Sequence, residues 1–395
     1  MGNRYTRVGR AVSISALALV VSATSTLATA PIVPTGNVGT ISGIGATFPS
    51  PLYNEWFAQF NADLAVSSPS STVAFTYAAN GSGAGVNAIK NGTADYGASD
   101  AALSDADVAA TASTNGGVLH IPATLGGVVL AYKLAGVKTS TGAATTLKLT
   151  PGLVFRLYSG QIKYWDDTLV KGINPGVVIP HTLVTPVHRS DSSGTTFVFE
   201  SYLAKVSSVW RCIFGTGGPT KAWPSSPSTC TGLATLPGLG APRNSGVAAK
   251  VASTNGAIGY MEYAYAQNAG LKMARLKNPA GTFVSPSTYA FSAAANATVA
   301  TIPADLRAAP IVQAPGTTSW PISAYSYIFV YKQAEGLQGA SEAKAQMFVA
   351  YLNWALTTGQ SFSRSMGYAP LPTSVRTKAL AQVHQITWGG SAIWP

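Results

Sequence analysis

GGVVLAYKL (Gly126–Leu134) is an aliphatic run closed by a tyrosine and a lysine, and YSYIFVYK (Tyr325–Lys332) repeats the pattern far downstream. Both are short, rich in β-branched and aromatic residues and nearly free of charge, so each predicts a buried strand. Around them, such runs alternate with helix-like stretches: FVFESYLAKV (Phe197–Val206), the helix-then-strand pattern SGVAAKVASTNGAIGYMEYAYA (Ser245–Ala266), EAKAQMFVAYLNWALTTGQ (Glu342–Gln360) and SVRTKALAQVH (Ser374–His384). That alternation predicts an α/β fold. No repeat of fixed period and no long linker divides the chain, so composition alone gives no domain boundary.

At 395 residues, 47% hydrophobic, the chain is long enough for two globular units or one large one. Charged residues make up only 10%, with 25 Lys and Arg against 14 Asp and Glu. The basic residues are scattered, with no run of them beside aromatics, which argues against nucleic acid. A positive field that draws in small anions is the simpler use of the excess.

The first thirty residues read as a removed export signal. Arg4, Arg7 and Arg10 form the basic start, AVSISALALVV is too short to span a bilayer, and LATA supplies small residues for cleavage. Without those three arginines, 22 basic residues still face 14 acidic ones. No cysteine lies near the cleavage region and no later segment has the apolar length of a membrane helix. The expectation is an exported, soluble protein without a lipid anchor. Cys212 and Cys230, the only cysteines, flank the loop-like FGTGGPTKAWPSSPST. In an exported chain they are disulfide candidates, with two unpaired thiols as the alternative. Closing such a loop contributes about 3 kcal/mol in the chain-entropy model.

Three polar turns precede helix-like stretches. GIGATFPSPLYNEWFAQF (Gly43–Phe60) puts Thr47-Phe48-Pro49 ahead of Leu52, Trp56 and Phe60, spaced four apart. NGSGAGVNAIKNG (Asn80–Gly92) puts Ser82 and two glycines ahead of a short helix stopped by Asn91-Gly92. HRSDSSGTTF (His188–Phe197) puts Ser193-Gly194-Thr195 ahead of a third. A helix N-terminus offers unpaired N–H groups and a positive dipole end, which suits an anion. Any one such turn is equally ordinary capping. The third also carries Arg189, a planar donor suited to an oxyanion, with Asp191 close enough to hold it. A local surface ion pair is the competing reading. TADYGASDAALSD (Thr93–Asp105) adds Asp100 after a strand-like run, where open α/β sheets place ligand contacts. A carboxylate suits an anion only if that anion carries a proton, as phosphate does near neutral pH and sulfate does not.

These segments resemble the periplasmic phosphate-binding proteins of high-affinity phosphate ABC importers. The likeness runs along nearly the whole mature chain: GATFPSPLYNEW, NGSGAGV, DYGASDAALSD, IPATLGGVVLAYKL, LYSGQIKYWDD, VHRSDSSGTTFVFESYLAKV, GAIGYMEYAYA, WPISAYSYIFVYK and LNWALTTGQ. It implies a two-lobed periplasmic-binding-protein fold of the type II kind, in which two crossover strands join α/β lobes and the ligand cleft lies between them. The lobes would take residues 37–124 with 319–395, and 125–318. It implies a site in which Thr47 offers hydroxyl and backbone, Phe48 its N–H, and Ser82 hydroxyl and N–H. Asp100 accepts the phosphate proton, Arg189 donates under the hold of Asp191, and Ser193, Gly194 and Thr195 close the far side. It also implies inorganic phosphate as ligand, a membrane permease as partner, a monomer in the periplasm, and neither metal nor cofactor. Gly43-Ile44-Gly45 stands where the family usually has Gly-Ala-Gly, and Asn80 where it often has an aliphatic residue; Asn80 is read either as altering affinity or as a cap. The Cys212–Cys230 segment is elaborated.

Two other functions compete for the same residues. A serine hydrolase or phosphatase needs a base held by a third group. Here His120, His181, His188 and His384 are the only histidines, HRSDSSG lacks the G-x-S-x-G elbow, and no metal-ligand spacing or carboxylate pair occurs. An exported phosphate-scavenging or surface protein without an importer keeps the fold and changes the task.

Overall fold

The structure, a computed structural model, describes residues 30–224 and 235–394. The leader expected over residues 1–30 lies outside the described residues except for Ala30, and Cys230 lies outside them as well. Among the described residues no cysteine is a free thiol.

The elements that build the site are, in chain order, β1 (Gly36–Gly45), α1 (Ser50–Ser67), β2 (Ser71–Ala78), α2 (Ser82–Asn91), β3 (Tyr96–Ser99) and β4 (Val118–Tyr132). They continue with β5 (Thr185–Arg189), α3 (Gly194–Val206), β6 (Leu239–Ala241), α4 (Arg243–Ser253), β7 (Ala257–Glu262), β8 (Ile322–Tyr331) and α5 (Glu342–Leu356). The strands lie in the order β2-β1-β3-β8-β4-β7-β5-β6. β1 pairs parallel with β2 and β3, and β5 pairs parallel with β7 and β6, while β4 runs antiparallel to both β8 and β7. The α/β class read from the alternation is the class found.

GGVVLAYKL is the second half of a longer strand. β4 begins at Val118 and is buried over nearly all its length, with helices packed against it. Along Val118–Gly127 its partner is β8; along Val128–Tyr132 it is β7. One continuous strand therefore belongs to two half-sheets, where the sequence pointed to a strand that starts only at Gly126. Pro122, which has no N–H to give, sits where the β8 register shifts between Ser326 and Tyr327. Gly126 lies at the junction, and a Cβ there would come within 2.7 Å of the Phe48 ring. The first half-sheet is covered by α1 and α5, whose Phe57, Phe60, Phe348 and Tyr351 pack against Phe75 of β2 and Tyr96 of β3.

In the second half, α3 carries Glu200 into the interior. Glu200 Oε2 accepts the Thr220 N–H at 2.7 Å, and its Oε1 has no partner among the described residues. The chain after Cys212 thus returns onto α3: Lys221 C=O takes the Ser193 N–H at 2.7 Å, and Trp223 stacks over His188 and Phe199. Burial pushes the Glu200 carboxyl up to about 8, against the weaker pull of the Thr220 hydrogen bond. Between its ordinary value and 8 the folded state binds a proton that the unfolded state has released, so this group's stabilisation is lost as pH rises. Thermal denaturation from pH 5 to 9 will show the wild type losing melting temperature through that window and Glu200→Gln losing less; parallel curves would remove Glu200 as the cause.

Candidate functional site

Each of the three turns lies at the start of a helix. Thr47 and Phe48 follow β1 and enter α1, and the Phe48 N–H has no acceptor among the described residues. Ser82 is the first residue of α2, behind Gly81 at φ 99°, a left-handed conformation that glycine adopts without strain. Ser193 is the N-cap of α3, its Oγ accepting the Thr196 N–H at 3.1 Å, which leaves the N–H groups of Gly194 and Thr195 outside the helical ladder. Asp100 follows β3 directly, and Arg189 ends β5.

The turns belong to different half-sheets, and they meet. Thr195 Oγ1 donates to Asp100 Oδ2 at 3.3 Å, and the Asp100 N–H donates to Ser82 Oγ at 3.3 Å. The Gly83 N–H reaches Ser192 C=O at 3.2 Å. Gly194 has to be glycine for this approach: a Cβ would stand 2.5 Å from Ser82 Oγ and 2.8 Å from Asp100 Cβ. Thr47, Phe48, Ser82, Asp100, Arg189, Ser193, Gly194 and Thr195 are all buried.

Arg189 is 1% exposed, yet its charge is met on one edge only. Nε donates to Asp191 Oδ1 at 2.7 Å and Nη2 to Asp191 Oδ2 at 2.5 Å, a bidentate fork. Nη1 is buried with no partner among the described residues. Such a donor costs about 1–3 kcal/mol, more when charged, so Nη1 marks where an acceptor belongs. For Asp191, burial would raise the carboxyl, but the Arg189 hydrogen bonds and charge and the Arg243 N–H outweigh it and hold it below the usual range. The surface-pair alternative does not describe this fork, since the Arg189 side chain has no exposed area.

Asp100 is the perturbed acid of the site. Burial drives it up to about 7; the Ser326 hydroxyl, the Arg189 charge, and the Thr195 and Ser82 contacts pull the other way without cancelling it. Ser326 Oγ donates to Asp100 Oδ1 at 2.9 Å. A carboxyl poised between forms at neutral pH can accept a proton from a guest or keep one of its own.

Four residues of this cluster escaped the sequence reading. Ser326 was hidden in an aromatic strand run, where a lone serine is the one available signal. Asn244 donates from its N–H and Nδ2 to Thr47 Oγ1 at 3.3 and 2.8 Å, and its Oδ1 accepts the Glu262 N–H at 3.1 Å. It is the second residue of α4, in PRNSG, another polar turn at a helix start, so the same pattern would have found it. Tyr265 donates to Thr47 C=O at 2.6 Å, and Tyr260 hydrogen-bonds both the Arg189 N–H and Thr196 Oγ1, at 3.1 and 2.7 Å. Neither tyrosine carries a local sign of that role.

Two half-sheets sharing one strand, with a buried donor cluster between them, define a two-lobed solute-binding protein. The family model described as the PBP superfamily domain matches residues 33–357. The phosphate-binding protein PstS of Xylella fastidiosa (strain 9a5c) is 34% identical over 335 residues, 85% of this chain and 82% of that protein. PstS of Pasteurella multocida (strain Pm70) is 35% identical over 343 residues, 87% and 89% of the two chains. Among solved structures, the high-affinity periplasmic phosphate-binding protein PfluDING, bound with phosphate, superposes at a TM-score of 0.64 with 21% identity, covering 87% of this chain and 93% of that one. A phosphate-binding protein from Stenotrophomonas maltophilia gives 0.57 and 21%, with the same coverages. The chain belongs to the PstS phosphate-binding proteins of the PBP superfamily.

Removing the Asp191 carboxylate leaves a buried guanidinium uncompensated. Asp191→Ala will lower unfolding stability in urea by about 2 kcal/mol, below the value for a fully buried pair because Asp191 keeps some solvent contact. A midpoint unchanged at constant slope would show that Asp191 does not carry that charge.

Proposed function

We propose that this chain is an exported receptor that captures inorganic phosphate in the periplasm and delivers it to a membrane ABC permease without chemical turnover. The observation that carries the reading is the buried, one-edged Arg189 beside a carboxyl poised near pH 7. An anion completes Arg189 at Nη1, and a protonated anion satisfies Asp100. The Phe48 N–H, the first N–H groups of α2 and α3, and the hydroxyls of Thr47, Ser82 and Thr195 supply the remaining donors around a tetrahedral guest; Ser193 contributes as the cap that orients α3. The names of the relatives support phosphate as the guest.

The lobes we assign are residues 37–124 with 319–395, and 125–318, with the hinge where β4 passes from β8 to β7. Ligand contacts made from both sides favour closure by differential affinity. Among the described residues no helix is long and apolar enough to cross a membrane. The leader reading of residues 1–30, together with the lack of a nearby cysteine, supports export without a lipid anchor. The basic residues, scattered over the surface, serve anion encounter.

Catalysis finds little support in the geometry. Ser193 Oγ is engaged as a cap. His188 lies against Trp223 with Nδ1 3.0 Å from Arg189 C=O, His120 Nε2 takes the Leu103 N–H, and His181 pairs with Asp166. None of these imidazoles serves a nucleophile.

Calorimetric titration with phosphate in the presence and absence of sulfate tests the assignment. Arg189→Ala will weaken phosphate binding by more than about 2 kcal/mol. An unaltered dissociation constant removes Arg189 from the site. Discrimination against sulfate depends on an ionised Asp100, so it will fall as pH drops below about 7, where the buried carboxyl keeps its proton and becomes a donor. Asp100→Asn will weaken phosphate and flatten that pH dependence; sulfate competition identical at pH 5 and pH 8 in the wild type excludes this role for Asp100.

A further inference from the structure

We propose that Asn80 and Arg243 form an exposed latch across the cleft that sets how slowly the bound anion leaves, and that Asp191 links this latch to the anion-binding arginine. The inference rests on the phosphate-binding reading above.

Asn80 lies between β2 and α2, in the turn that delivers Ser82. Of its two sequence readings, the cap is ruled out: the N-cap of α2 is Gly81, and no side chain caps that helix. Instead Asn80 Oδ1 accepts a hydrogen bond from Arg243 Nη2 at 2.9 Å, a partner 163 residues away in the other half-sheet's territory. Arg243 opens α4 at φ 62°, a left-handed backbone that a non-glycine residue holds only when its surroundings fix it. What fixes it is the site. The Arg243 N–H donates to Asp191 Oδ1 at 3.0 Å, the same oxygen that takes Arg189 Nε. The next residue, Asn244, grips Thr47 Oγ1 across the cleft.

A hydrogen-bonded path therefore runs from Arg189 through Asp191 and Arg243 to Asn80. A guest that holds Arg189 in its fork also holds Asp191, and with it the backbone that aims the Arg243 guanidinium at Asn80. Both latch side chains are exposed, unlike the buried groups of the site. The pair is thus placed to act on opening and not on recognition. It has to break before Ser82 and Gly194 can separate, whereas encounter with the open form does not involve it.

The test is stopped-flow release and uptake of inorganic phosphate by wild type, Asn80→Ala, Arg243→Gly and the double variant. Glycine at 243 deletes the guanidinium while keeping the N–H to Asp191 and tolerating the positive φ. Each single variant should release phosphate roughly three- to tenfold faster, as fits one solvent-exposed hydrogen bond to a charged donor. Association rate and ligand-free melting temperature should stay at the wild-type values, a pattern that a merely structural role would not give. The double variant should release no faster than the faster single variant, because both remove one contact. Equal release rates in all four proteins, or additive effects in the double variant, overturn the latch while leaving phosphate binding intact. A wild type that takes up no phosphate overturns the receptor reading, and the latch falls with it.

Discussion

A guanidinium removed from water must be answered by protein acceptors or by something bound to the protein, and Arg189 is answered on two of its three nitrogens. Much of the site follows from holding that half-met charge. Asp191 has to sit within a fork's reach, which places a tight polar turn directly after β5. The turn must then enter α3 with a capping serine, and the returning Lys221 carbonyl takes the remaining Ser193 N–H. Tyr260 supports the Arg189 backbone from the neighbouring strand β7. An arginine so constrained cannot relax toward solvent, and that is what makes it a preorganised donor and not a mobile charge.

The second constraint is closeness. Donors carried on separate half-sheets serve one small guest only if backbones approach to contact, and here glycine decides. Gly194 lets the α3 turn sit against Ser82 and Asp100; Gly126 lets the Phe48 ring lie over the strand that joins the halves. A side chain at either place would hold the donors apart. β4, paired on one side with each half-sheet in turn, fixes the two halves in register along a single backbone.

What was legible in the sequence follows the range of the forces. The alternation of apolar runs reported the α/β class because each run has to bury locally. The three polar turns were visible because a helix start announces itself in adjacent residues, and the Arg189–Asp191 fork because its partners are two apart. Ser326 and Asn244 were missed for the opposite reason: each acts on a residue from a distant segment, Asp100 in one case and Thr47 in the other. The extent of β4 was underestimated because Pro122 breaks the strand pattern locally, while the bulge at Ala123 that accommodates it is a property of the pair with β8. The whole-chain resemblance supplied what the turns could not, namely that they converge.

Charge accounting separates recognition from rate in the proposed receptor. Arg189 and Asp191 cancel, and Asp100, poised near 7, adds no positive charge. The closed site thus holds its anion less by excess positive charge than by a count of donors that only a guest of the right protonation can satisfy. Buried donors of this kind discriminate strongly, because the wrong guest leaves a polar group unpaired where water cannot reach it. They do little for the speed of encounter, which depends on long-range charge. That task falls to the basic excess spread over the surface, where its effect is screened by salt. The exposed Asn80–Arg243 pair occupies the remaining role, since a contact that forms only after closure alters departure and not arrival. Selectivity, capture and release are thereby assigned to residues of different burial, and each can change without disturbing the other two.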